Sequence, residues 1–115
     1  MKALIIDVRD DGGGLLTVVE DICDRILGKA VIVYTKDRQD KKEYLKSSDK
    51  EKIDKPIVVL TNRSSASASE ILTGAVLDNK AGISIGETTY GKGLVQGMLK
   101  LKDGSGYKLT TAQYF

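Results

Sequence analysis

Pro56-Ile57-Val58-Val59-Leu60-Thr61-Asn62-Arg63-Ser64-Ser65-Ala66-Ser67-Ala68-Ser69-Glu70 carries the chain from one kind of structure into another. Ile57 to Leu60 is a short continuous run of branched apolar residues, the look of a buried strand. Pro56 opens it. Asn62-Arg63-Ser64-Ser65 turns the chain, and Ala66, Ile71, Leu72, Ala75, Val76 and Leu77 then recur as on a buried helix. A strand that turns through small residues into a helix is the start of an α/β unit.

The same grammar extends to both sides. Ala3 to Val8 reads as a buried strand, broken by Asp10-Asp11-Gly12-Gly13-Gly14. Leu15, Val18, Val19, Ile22 and Ile26 follow at three- and four-residue steps, a helix packed on one face, with Gly28 as its stop. Ala30 to Tyr34 is a second strand. From Lys36 to Lys55 most residues are charged, which reads as a solvated hairpin or excursion and not a second domain. After the second helix, Asn79-Lys80-Ala81-Gly82 leads into a fourth strand at Ile83-Ser84-Ile85. The tail alternates through Leu94-Val95-Gln96, Met98, Leu99 and Leu101 to Tyr107, Leu109 and Thr111, with a hairpin turn at Asp103-Gly104-Ser105-Gly106. The expectation is an α/β fold, largely parallel at first, with two main helices and a C-terminal β-hairpin.

Composition narrows the chemistry. The 115 residues suit a single domain, 1–115, with 41% hydrophobic and 30% charged residues. A net charge of +2 is too small to argue for nucleic acid or an anionic membrane. No apolar run approaches the roughly 18 residues of a membrane span, and Met1-Lys2-Ala3 enters Leu4-Ile5-Ile6 without a signal-peptide pattern. One cysteine excludes an internal disulfide. The absence of histidine decides more: a Ser-His-Asp or Cys-His hydrolase is impossible, so any nucleophile must use a lysine, a carboxylate or a terminal amine as base.

Three segments could carry chemistry. The Asp10 to Gly14 loop, between strand and helix, can turn backbone N–H groups outward, although its glycines also suit a plain turn. It lacks the last glycine of a dinucleotide fingerprint. Ser67 with Glu70 fits a capping box, while a serine at a strand-to-helix elbow is also how several hydrolases present a nucleophile. Gly86-Glu87-Thr88-Thr89-Tyr90-Gly91-Lys92-Gly93 comes within one residue of a P-loop, but Gly93 replaces the magnesium-binding hydroxyl and a strand-like run follows. A nucleotide-binding α/β domain using 86–93 is therefore the weaker alternative. Gly91 and Gly93 clear space around Lys92, and Gln96 lies four residues on, the same face of a strand.

Taken together these segments resemble the catalytic core of the carboxyl-terminal processing, or tail-specific, proteases. That family's motifs read like D-L-R-x-N-P-G-G, S-A-S-A-S-E-I and G-x-x-T-x-G-K-G-x-x-Q. Here they stand as Asp7 to Gly14, Ser65 to Ile71 and Gly86 to Gln96, in order and across the whole chain. Gly12 replaces the usual proline, and Asp10-Asp11 the usual asparagine-rich pair. The resemblance implies a ClpP/crotonase-like core and a Ser-Lys endopeptidase that needs no cofactor or metal. It makes Ser67 the nucleophile, Lys92 the general base and Gln96 the group that orients it, with the N–H groups of Gly13 and Ala68 as oxyanion hole. It also implies that this stretch is a fragment of the core. The partners would be unfolded or C-terminally exposed polypeptides, with a PDZ domain elsewhere in the parent chain and no nucleic acid. The family's setting is extracytoplasmic: cell envelope, periplasm or organelle lumen. A catalytically silent scaffold of the same fold is the other reading left open.

Overall fold

The Ile57–Leu60 run becomes the central strand of a parallel sheet. In the computed structural model, which describes residues 1–48 and 52–115, the elements are β1 (Leu4–Asp7), α1 (Leu16–Ile26), β2 (Val31–Asp37), β3 (Lys42–Lys46), β4 (Ile57–Thr61), α2 (Ala68–Asp78), β5 (Gly82–Gly86), β6 (Leu94–Lys100) and β7 (Gly106–Tyr114). β4 lies between β1 and β5 in a three-stranded sheet, with Leu4 opposite Ile57 and Leu60 opposite Ile85. Side chains alternate across a strand, so β4 sends Ile57, Val59 and Thr61 to one face, where all three are buried. That face meets Val19, Cys23 and Ile26 of α1 and Leu72, Ala75 and Val76 of α2, which form the core. The opposite face leaves Ile5, Ile83 and Ile85 exposed.

The parallel arrangement stops at three strands. β2, expected among the parallel units, lies instead in an antiparallel four-stranded sheet of order β3-β2-β7-β6. The reason is local. The charged stretch after β2 folds straight back as β3, through a turn in which Asp37 accepts from the N–H groups of Gln39 and Lys41 at 2.8 and 3.0 Å. A tight hairpin can only be antiparallel. The solvated hairpin read from the charges is thus present, while residues 49–51 of that stretch lie outside the described residues. β6 and β7 form the expected terminal hairpin, its turn closed by Asp103, which accepts from the Ser105 N–H and hydroxyl. Ile32 and Val33 of β2 join the core and fasten the second sheet to the first.

Burial sets an expectation for stability. Leu27 is 1% exposed and Ile5 65%. Leu27→Ala should cost about 2–5 kcal/mol in urea unfolding, whereas Ile5→Ala should stay within about 0.5 kcal/mol. Equal losses would contradict the one-sided core.

Candidate active site

The turn between β4 and α2 separates its serines by role. Ser65 is fully buried; its hydroxyl donates to the Val8 carbonyl at 2.7 Å and accepts from the Asn62 N–H. Ser69, also buried, donates to Asp11 at 2.9 Å. Ser67 is half-buried and sits at φ 59°, ψ −117°. That backbone conformation is costly for a residue with a Cβ and persists only where its surroundings enforce it. Strain of this kind is how a strand-to-helix elbow lifts a serine clear of its own helix.

The glycine loop supplies part of that enforcement. Gly13 has φ 92°, and a Cβ there would lie 2.5 Å from the Ala66 carbonyl, 2.8 Å from the Ala68 nitrogen and 2.9 Å from the Ser67 Cβ. Only glycine fits. The loop is stitched to the serine turn by Asp10 and Asn62, which exchange hydrogen bonds of 3.0 and 2.9 Å, and by the Ala66 N–H donating to the Asp11 carbonyl. The glycine backbone therefore lies against the first residue of α2. Ala68 begins that helix, so its N–H is one of the four that have no partner within it. The Gly13 N–H donates to the Asp11 carboxylate at 3.0 Å.

The Lys92 loop arrives from β5. Thr61 receives it: the Glu87 N–H donates to the Thr61 carbonyl, and the Thr61 hydroxyl donates to the Glu87 carbonyl at 2.9 Å. The Tyr90 N–H then donates to the Ser65 carbonyl at 2.9 Å. Glu70 completes the join. Its carboxylate accepts from the N–H groups of Ser67 at 2.8 Å, Gly91 at 2.6 Å and Lys92 at 2.9 Å. Burial alone would push this carboxyl up, but the Gly91 N–H, the Thr89 hydroxyl and the N–H groups of Ser67 and Lys92 outweigh it and hold Glu70 below its ordinary range. The capping box read from Ser67 and Glu70 is real in this half, and the same carboxylate does far more than cap. Its reach to Gly91 and Lys92 escaped the sequence reading, because a local i,i+3 spacing says nothing about a loop 21 residues on.

Ser67, Glu70 and Lys92 line one cavity of about 250 Å³, with Ile71, Ala75 and Phe115 as apolar walls. Lys92, one of its lining residues, is exposed. Gln96 does not line this cavity: it is exposed on β6, and its amide donates to the Thr110 hydroxyl at 3.4 Å. The same-face argument for Lys92 and Gln96 needed both on one strand, and Lys92 precedes β6. Cys23 is buried in the core, where desolvation pushes its thiol up to about 12 and leaves no thiolate at neutral pH. Among the described residues no group of three or more His, Cys, Asp or Glu is placed to hold a metal ion.

The glycine loop, the serine turn and the lysine loop thus meet at one place, in the order of the motifs quoted above. The sequence pattern of peptidase family S41 matches residues 1–115, the whole chain. The chain belongs to that family. A carboxyl-terminal-processing protease of Synechocystis sp. is 44% identical over 110 residues, covering 96% of this chain and 26% of the relative. The chloroplastic C-terminal processing peptidase of Tetradesmus obliquus is 42% identical, over 99% of this chain and 25% of its own. Among solved structures, the photosystem II D1 C-terminal processing protease superposes with a TM-score of 0.91 at 37% identity, over 100% of this chain and 30% of that one. The chain therefore spans about a quarter of the length of these curated S41 relatives.

Because Glu70 is held below its ordinary range, its bonds stabilise the fold above that range and are lost as pH falls through it into the lowered value. Glu70→Gln should cost about 1–3 kcal/mol at neutral pH. The gap from the wild type should close below about pH 4. A gap that persists at low pH would show that the carboxylate charge is not what holds the loops.

Proposed function

We propose that this chain is the core of a Ser-Lys endopeptidase that cuts polypeptides near their C-termini. The shared cavity of Ser67 and Lys92, beside a strained serine turn, is the observation that carries the reading. In this scheme the Lys92 amine takes the hydroxyl proton of Ser67 as the oxygen attacks the scissile carbonyl. The developing oxyanion lies at the N–H groups of Gly13 and Ala68, the former exchanging the Asp11 carboxylate for it. As the tetrahedral species collapses, the lysine ammonium returns the proton to the leaving amine. The acyl ester on Ser67 is then hydrolysed: Lys92 accepts the proton of the attacking water and passes it to the departing Ser67 oxygen, which restores the hydroxyl and the free amine. Gln96 orients the lysine amine in this scheme; its contact to Thr110, at 3.4 Å, is long enough to give up readily.

The exposure of Lys92 favours a division of labour. A base that must shed water needs cover, and the relatives that match this chain are about four times its length. In this proposal the remainder of a longer parent chain closes over Lys92, and a PDZ domain there holds the substrate's C-terminal tail and raises its local concentration. By itself the 115-residue stretch folds and is nearly silent. The relatives named chloroplastic favour an organelle lumen or another extracytoplasmic setting for the parent.

Cleavage of an unfolded protein with an apolar C-terminus tests this. The parent chain should cleave it, the 115-residue stretch should lag far behind, and Ser67→Ala or Lys92→Ala in the parent should lose a thousandfold or more, about the scale of a lost nucleophile or base. Ser69→Ala should retain most activity. A dead Ser69→Ala beside an active Ser67→Ala would overturn the assignment.

A further inference from the structure

The Gly13 N–H is already engaged. It donates to the Asp11 carboxylate at 3.0 Å, so a negative group stands where the proposed mechanism puts the oxyanion. Asp11 is also held in place. Its other carboxylate oxygen accepts from the buried Ser69 hydroxyl at 2.9 Å, and its carbonyl accepts from the Ala66 N–H at 3.0 Å. The carboxylate is therefore pinned between the glycine loop and the first turn of α2, although the residue is exposed to solvent. Asp10-Asp11 replaces an asparagine-rich pair in the motif this loop resembles.

Resting on the hydrolase reading, these bonds set a bound on the charges. An oxyanion bonded to the Gly13 N–H lies about 3 Å from that nitrogen. The Asp11 oxygen lies 3.0 Å from the same atom, so the two oxygens are about 6 Å apart at most. The substrate carbonyl is neutral, and only in the tetrahedral state are both oxygens negative. Repulsion then raises the transition state and leaves substrate binding alone. If the carboxylate instead gives up the N–H, a bond of the resting enzyme is lost and the barrier rises as well. We propose that Asp11 is a brake on the reaction: its carboxylate occupies and opposes the oxyanion site. An amide at position 11 has the same shape without the charge. Its oxygen accepts from the Gly13 N–H and its nitrogen donates to the Ser69 oxygen, so the turn is kept.

The test is Asp11→Asn in the parent chain, assayed on the unfolded protein with an apolar C-terminus. Its kcat should rise about tenfold, and its KM should stay within about twofold of the wild type. Salt supplies a second readout. In about 1 M salt the screening length is ~3 Å, shorter than the separation of the two charges allows, so the ratio of variant to wild type should fall toward unity. A merely structural role for Asp11 gives no gain in kcat and no such salt dependence. Should Asp11→Asn not fold, Asp11→Ser, whose hydroxyl can accept from the same N–H, must show the gain in its place. A neutral variant no faster than the wild type, a gain confined to KM, or a gain indifferent to salt would overturn the brake and leave the hydrolase reading standing. A parent chain that cleaves nothing, with aspartate or asparagine at position 11, would remove both.

Discussion

One carboxylate faces both halves of the site. Glu70 sits in the first turn of α2, where its charge favours the helix end, and accepts N–H groups from Ser67 behind it and from Gly91 and Lys92 across the cleft. Hydrogen bonds to a charged acceptor are the strong ones. With them in place, the loop that bears the lysine cannot drift from the turn that bears the serine. Without them, the two segments would be joined mainly through Thr61 and the Tyr90–Ser65 bond.

The clamp works because the sheet delivers the pieces to the same edge. The glycine loop leaves the C-terminal end of β1, the serine turn that of β4 and the lysine loop that of β5. In a parallel sheet these ends lie side by side, the position where open α/β sheets place their ligands. Gly13 then packs against Ser67 and Ala68 at distances only a hydrogen in place of Cβ permits. The strain at Ser67 is enforced from three directions: the glycine loop, the helix and Glu70.

Much of this was legible in the residues. Continuous apolar runs marked β1 and β4, helical spacing marked α1 and α2, and the Asp103 to Gly106 turn marked the last hairpin. The convergence of Gly13, Ser67, Ala68 and Lys92 came from motif order, and these residues gather around one turn. What was hidden depended on partners distant in sequence. β2 has an unremarkable apolar run, and nothing in it announces β7 as a neighbour. Asp11 reads as half of an acidic pair, yet its carboxylate takes the Gly13 N–H and the Ser69 hydroxyl. Gln96 shows the limit of spacing: four residues mean one face only if both ends lie on the strand, and Lys92 lies before it.

The central claim is that Ser67 is a nucleophile that Lys92 activates. Fluorophosphonate labelling of the parent chain, with the adduct mapped by peptide mass spectrometry, addresses it most directly. The account predicts a single adduct on Ser67, formed far more slowly in Lys92→Ala. An adduct on Ser64 or Ser69, or a labelling rate indifferent to Lys92, would contradict it.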